Sequence, residues 1–329
     1  GEMPWGEGDL GVAARPGEDV VVRVEVEPGE HVTFFLSFAR GDADVVLEVL
    51  RWDGAVAAPV GTTDAGPGLR TLAVVEPAGP RTFWARITVL DALALDATLT
   101  VTRVPYEDGP ICTSDCAHLL QLPLPIDPAV AGYRTTSGTV FRYQYGRRDL
   151  VMFIRHAGQR MISLGMAPFV PQDLSQWDGE TPGVDVGSPR HASHTRGKDV
   201  DISLYGVDGD ASWRSFCTTT TASGGRECVS GTVAGYDAAV SALLFGDFFA
   251  TGRITMCFLD AELIAATIPG ATDEVAGGRL ASDLLPLYSD DVHLQHWPNH
   301  DNHIHVRVSE EPLAAFGWAP GPPAPFEPP

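Results

Sequence analysis

Between residues 20 and 104 the chain alternates apolar and polar positions with a period of two. In Val20 to Glu27, the side chains of Val22, Val24 and Val26 fall on one side and those of Arg23, Glu25 and Glu27 on the other, the pattern of a strand with one buried face. The same pattern recurs over Val32 to Phe38, Asp44 to Trp52, Thr71 to Val75, Thr82 to Val89 and Ala97 to Val104, between Pro-Gly, Asp-Gly and Gly-Asp turn signals. A run of short strands with no helical stretch predicts an antiparallel β-sandwich over residues 1–105. It holds one histidine, His31, and no cluster of polar residues, so a structural or surface-binding role is expected of it.

A turn-rich linker, residues 106–118, separates this segment from a region with a different period. Leu150, Phe153, Ile154 and Ala157 recur at helical spacing and predict an amphipathic helix over Arg147 to Arg160. Further on, Ala234 to Ala250 reads as a helix, Arg253 to Leu259 as a buried strand, and Asp260 to Ala266 as a shorter helix. These elements predict a second, α+β domain over residues 119–319, built on a small antiparallel sheet, with a Pro-rich tail at 320–329. The fold class is therefore multidomain, and 329 residues suffice for two cores.

Composition narrows the partners. With 44% hydrophobic and 20% charged residues the chain reads as folded, and no stretch approaches the roughly 18 apolar residues of a spanning helix, so no transmembrane segment is expected. Lys and Arg total 22 against 43 Asp and Glu, a formal charge of -21. A field of that sign repels phosphate backbones and argues against nucleic acid as a partner. Oligomeric state is not legible.

The five cysteines set a compartment. Cys112 with Cys116, and Cys217 with Cys228, are the pairs closest in sequence and the disulfide candidates. The Thr/Gly stretch between Cys217 and Cys228 has no other means of being held, which favours a staple and an oxidising compartment. Cys112-x3-Cys116-x-His118 is also a metal alternative, although its spacing is not a common zinc pattern. Cys257, in an apolar run, is expected to be a buried thiol. No export signal is visible and the chain opens on Gly1, so such a signal or a tag is expected to have been removed.

Two short segments carry the chemistry. In the first, His191-Ala-Ser-His194 leads through Gly197 into an alternating strand with Asp199, Asp201 and Ser203 on one face and Val200, Ile202 and Leu204 on the other. In the second, His300-Asp-Asn-His303 leads into a strand with His303, His305 and Arg307 on one face and Ile304, Val306 and Val308 on the other. If the strands are neighbours, Asp201 and His305 converge and His194 returns across the turn at Gly197. Two imidazoles and a carboxylate with a fourth position open form the ligand set of a catalytic zinc site. His303, on the ligand face, is placed to move a proton, and amide hydrolysis is the chemistry implied. Asp199 is expected to position the loop or hold a ligand histidine. His293 and His296 read as groove or loop residues, and His118 and His156 as structural. Ser193 and Ser203 lack the Gly-x-Ser-x-Gly elbow of a serine hydrolase.

The spacing His194-x6-Asp201 with a downstream His303-x-His305 resembles the lysostaphin, D-Ala-D-Ala and Hedgehog superfamily of zinc peptidases. Within it, HASHTRGKDVDI and NHDNHIHVR look like the penicillin-insensitive murein endopeptidases, and the likeness extends from about Leu119 to Arg307. Residues 1–105 resemble the pre-peptidase jelly-roll modules that accompany secreted bacterial peptidases. The resemblance implies that His194, Asp201 and His305 bind zinc and that His303 is the catalytic histidine, with His300 and His191 placed to assist; His303 and His300 are thus the catalytic candidates, and His191, Asp199 and Arg307 the supporting ones. It further implies cleavage of peptidoglycan cross-link peptides, chiefly the D-alanyl to meso-diaminopimelyl amide, in a periplasmic or secreted setting. Two alternatives stay open: a D,D-carboxypeptidase or dipeptidase of the same superfamily, and a zinc-stabilised wall-binding module that has lost catalysis. The first usually carries a Glu-x-x-His motif, and no Glu lies between Glu274 and His305. Lys198, where an apolar residue is usual, and an enlarged cysteine-bounded loop depart from the family. An anionic wall as substrate leads to the expectation that Arg142, Arg147, Arg148 and Arg307 surround the cleft.

Overall fold

Alternation becomes pairing in the first third of the chain. The computed structural model describes residues 2–40, 43–52, 56–63, 68–75, 80–107, 109–222 and 224–309; the Pro-rich tail lies outside them. Strands β1 (Glu2–Pro4), β3 (Asp19–Val26), β5 (Val45–Trp52), β6 (Ala57–Thr62) and β8 (Arg81–Val89) form one sheet in the order β1-β3-β8-β5-β6. Strands β2 (Gly8–Ala14), β4 (Glu30–Phe38), β7 (Leu69–Val75) and β9 (Leu95–Pro105) form a second, in the order β2-β9-β4-β7. Every pairing is antiparallel except β1 with β3, which is parallel. The inward set fixes the register: Val24 opposes Phe83, Phe34 opposes Val101, and all four are buried in one apolar cluster.

Two disulfides form, Cys112 to Cys116 and Cys217 to Cys228, and Cys257 is a buried free thiol. With the first bridge made, the Cys112, Cys116 and His118 metal alternative has no thiolates to offer. Beyond the linker, β10 (Leu119–Gln121) pairs with β11 (Tyr145–Arg147) and lies on the sandwich. Gln121 Nε2 donates to Thr71 O at 3.1 Å, its backbone oxygen accepts from His31 Nε2 at 2.7 Å, and Thr71 Oγ1 lies 2.6 Å from the Tyr145 hydroxyl. Leu124 N–H donates to Ala73 O at 2.8 Å, and the Leu124 side chain belongs to the sandwich core. Because this seam is buried, each of its polar groups needs a partner, and those named here have one.

The second part is built on the sheet order β12 (Pro171–Gln172), β13 (Asp199–Tyr205), β19 (His303–Val308), β17 (Ile254–Leu259), β18 (Leu294–His296), with β14 (Ala211–Ser212) also on β13. Only β17 with β18 is parallel. Helices α1 (Pro128–Ala131), α2 (Arg148–Ser163), α3 (Ala238–Phe249) and α4 (Ala261–Ala276) complete it, with the hairpin β15 (Thr219–Ala222) and β16 (Gly225–Cys228). Val200, Ile202 and Leu204 join Leu150, Phe153, Ile154, Leu243 and Phe245 in the second apolar cluster, so the helices take the apolar face of the sheet and leave the ligand-type face free. Among the described residues, no helix is long and apolar enough to cross a membrane.

Two element predictions and the placement of the arginines are corrected. Residues 234–237 precede α3, because the Asp237 side chain accepts from Val240 N and starts the helix there. Helix α4 runs to Ala276 rather than Ala266, through Pro269, and Gly270 allows it to pass within contact of the Ala238 backbone. Of the arginines expected at the cleft, Arg147 is buried on Asp149 at 3.0 Å and Arg148 donates to the Pro105 carbonyl, so both serve the fold. Arg142 binds Asp185 at 2.8 Å.

Candidate metal centre

The loop into β13 is bent by its backbone. Gly197 has φ 64°, and a Cβ there would sit 2.6 Å from Arg147 N and from Leu119 Cδ2, so only glycine lets the loop turn back under β11. The Gly197 carbonyl accepts from Arg147 N–H at 2.8 Å. His194 itself has φ 63°, a left-handed conformation that costs a non-glycine residue about 1–3 kcal/mol. The strain places a wholly buried imidazole beside β13.

In the β13–β19 ladder Asp201 stands opposite His305 and Asp199 opposite Arg307. Three atoms then converge. His194 Nε2 lies 3.1 Å from His305 Nδ1 and 3.3 Å from Asp201 Oδ1, and His305 Nδ1 lies 2.9 Å from Asp201 Oδ1. Bonds of about 2.0–2.1 Å to a tetrahedral ion would hold ligand atoms about 3.3–3.4 Å apart, close to this triangle.

The surrounding partners fix which atoms carry lone pairs. His194 Nδ1 faces the carbonyls of Asp173 and Leu174, which only accept, so Nδ1 bears the ring proton and Nε2 points a lone pair at the triangle. His305 Nε2 donates to Asp199 Oδ1 at 2.9 Å, which fixes its outer nitrogen as the donor. The His305 Nδ1 atom thus faces an imidazole lone pair and a carboxylate oxygen, and three acceptor atoms in contact require positive charge among them, a proton or a cation. Burial lowers the His305 imidazole, but the bonds to Asp199 and Asp201 overcome it and raise the group to about 9. Burial would raise Asp201, yet the imidazoles of His194 and His303 when protonated, with its bonds to His194 and His305, hold it well below the ordinary carboxylate range. Asp199 is likewise lowered against its burial, by His305 and Arg307. This donor set fits a zinc ion.

Four further side chains surround the triangle. His191 stacks on His194 with centroids 4.0 Å apart, and its Nε2 donates to Asp173 Oδ2 at 2.9 Å. His191, His194 and Asp201 also bring donor atoms within 4.8 Å of one another. The set with His305 is the tighter, since His191 Nδ1 stands 3.8 Å from Asp201 Oδ2. His303 donates through Nδ1 to Asn302 Oδ1 at 2.7 Å and turns Nε2 toward Asp201 Oδ2 at 3.8 Å. Burial lowers His303 to about 4, against the pull of Asp201. His300, which donates through Nδ1 to Pro298 O at 2.8 Å, lies with its ring 4.7 Å from that of His303. Trp213 covers His303 at 5.0 Å. Arg307 Nε donates to Asp199 Oδ1 at 2.5 Å, so Arg307 acts through Asp199 and not at the triangle.

His293 and His296 stand apart from the triangle: His293 binds Asp290, and His296 Nδ1 accepts from Ala261 N–H at 3.1 Å. Sequence reasoning missed Asp173, Asn302 and Trp213. Asp173 holds both His191 and Arg190, at 2.9 and 3.0 Å, from a loop whose sequence carries no motif. A groove of about 360 Å³ is lined by Arg134, Thr136, Val170, Gln172, Ser212 and Trp213, and Trp213 links it to His303.

No family model and no curated protein matches the chain. Among solved structures it is similar to the pre-peptidase C-terminal domain of a Bacillus anthracis collagenase, at 12% identity and a TM-score of 0.26, over 31% of this chain and 95% of that one. CorA, a surface-associated copper-binding protein of Methylomicrobium album, is similar at 11% identity and a TM-score of 0.24, over 31% and 99%. So is PliG, a periplasmic inhibitor of g-type lysozyme from Aeromonas hydrophila, at 13% identity and a TM-score of 0.22, over 31% and 96%. Likenesses this slight assign neither a fold nor an activity.

Proposed function

We propose that the chain is a zinc-dependent peptidoglycan endopeptidase that hydrolyses the amide of peptide cross-links, the D-alanyl to meso-diaminopimelyl bond first among them. The observation that carries the reading is the triangle of His194, Asp201 and His305, with edges of 2.9 to 3.3 Å, in which the outer nitrogens of both imidazoles are committed elsewhere and the three inner atoms share a place for one positive charge, a proton or a metal ion. The motif likeness to murein endopeptidases supplies the substrate class. Bound by these three residues, zinc would supply a water acidic enough to give hydroxide near neutral pH, and a Lewis acid for the scissile carbonyl.

The remaining work falls to the chain. His303, neutral at pH 7 because burial lowers it, presents Nε2 on the Asp201 side to accept a proton, and Asn302 holds that tautomer through Nδ1. His300, partly buried beside it, limits water around the His303 ring. The groove past Trp213 is lined by Val170 and Gln172 at the edge strand β12, and Arg134, which reaches the Ala211 carbonyl at 2.9 Å and Asp210 at 3.4 Å, stands there as a cation for a peptide carboxylate. The two disulfides favour an oxidising compartment, as a wall-acting enzyme requires.

The test is digestion of cross-linked muropeptide dimers with and without a chelator. Conversion to monomers only in the untreated sample is expected. Survival of dimers in both would sink the reading, and release of terminal D-alanine with cross-links intact would make the enzyme a carboxypeptidase. Replacing His303 by Ala should abolish turnover and leave about one zinc per chain; loss of the metal would instead make His303 a ligand.

A further inference from the structure

The stretch bounded by Cys217 and Cys228 folds as the hairpin β15–β16 and lies against residues 296–301, the segment that leads to His303. Their contacts form a small ladder. Arg226 N–H donates to Asn299 Oδ1 at 2.8 Å, and Asn299 N–H donates to Arg226 O at 2.7 Å. The Arg226 Nε atom donates to Asp301 Oδ1 at 2.7 Å, and Asp301 is wholly buried. Cys228 N–H donates to Asp260 Oδ2 at 2.9 Å, while Asp260 N–H donates to His300 O at 3.0 Å. The approach is close: a Cβ at Gly225 would lie 2.5 Å from Asn299 Nδ2, and one at Gly224 would lie 3.2 Å from Pro298 Cγ. Asn299 is held at φ 67°, a conformation that such a clasp sustains.

The hairpin has strands of four residues each, too short to be stable alone in water. What closes it is the disulfide at its base. The geometry points to a redox-dependent positioning clamp: the Cys217–Cys228 bond keeps the hairpin formed, Arg226 anchors Asp301, and His300 and His303 are thereby aligned with the metal ligands. A dithiol reductant would open it by taking the S–S bond to two thiols while itself becoming a cyclic disulfide. Arg226 is thus a positioning residue. Its consequence for turnover rests on the endopeptidase reading, whereas its consequence for the loop does not.

The experiment uses the full chain with zinc bound and compares the parent with Arg226→Ala, Arg226→Lys and the paired Cys217→Ser, Cys228→Ser variant. The paired variant isolates this bridge, because a dithiol would also reach Cys112–Cys116. Hydrogen exchange over residues 297–302 should accelerate roughly tenfold in Arg226→Ala and in the paired variant, with β13 amides as protected as in the parent. Zinc content should be unchanged. Turnover of muropeptide dimers should fall roughly 10- to 100-fold in kcat with a smaller change in KM, and Arg226→Lys should recover part of it. Unchanged exchange over 297–302 in both variants overturns the clamp, and a loosened segment with parental kcat overturns its positioning role. If the parent leaves dimers intact, the endopeptidase reading fails and the exchange result alone decides the clamp.

Discussion

Asp199 shows how a residue outside the triangle of His194, Asp201 and His305 can set the protonation within it. It takes the His305 Nε2 proton at 2.9 Å and is itself held by Arg307, so it fixes the ring's tautomer and adds negative charge behind it. Asp199→Asn should therefore weaken zinc binding by about 10- to 100-fold in a chelator competition. Affinity equal to the parent's would show that His305 is oriented by its other neighbours, Asp201 at 2.9 Å and the Phe258 ring at 5.4 Å among them. At this scale the sequence was informative where ligand and apolar residues interleave. Asp201 and His305 sit on strands whose other faces are Val200, Ile202, Ile304 and Val306, so burying the apolar set turns the candidate ligands to one side. Asp173, Asn302 and Arg226 were not legible, because their roles arise from loop contacts that no local period encodes.

Among the elements, the strands with β-branched inward faces were read within a residue or two, as with Val20 to Glu27 against β3 and Thr82 to Val89 against β8. Strands β1, β2 and β6 were not read. They are short or rich in small residues, and β1 and β6 are sheet edges, where one flank needs no partner and the pattern weakens. What joins elements across the second part is a buried ion triad. Asp149 accepts from Arg147 at the start of α2 and from Arg253 ahead of β17, at 3.0 and 2.8 Å. Removing the shared carboxylate takes the buried counter-ion from two guanidinium groups, of which Arg253 keeps its bond to Ser309 O at 3.0 Å, so Asp149→Ala should lower unfolding free energy by about 3 kcal/mol in denaturant titration. A loss under about 1 kcal/mol would mean that water replaces the carboxylate.

For the whole molecule, the seam between sandwich and sheet makes acid stability depend on His31. Burial pulls this imidazole down to about 4, while its bond to Gln121 only partly offsets that, and the unfolded chain protonates near 6.5. Between these values the unfolded state binds the extra proton, so stability is lost as pH falls from about 6.5 to about 4 and is untouched above 6.5. The full effect is on the order of 3 kcal/mol. His31→Gln should flatten that part of the thermal-stability profile; a slope as steep as the parent's would place the acid response elsewhere.

Leu124 also sets an order of events in time. It lies well past the last sandwich strand, yet its side chain closes the sandwich core, pressed so near Gly61 that a Cβ there would come within 2.7 Å of it. A chain made from its N-terminus must therefore carry an open seat in the sandwich until residue 124 arrives. The sandwich is finished by the segment that follows it, and fragments ending before and after that residue should differ in protease resistance although both contain every sandwich strand.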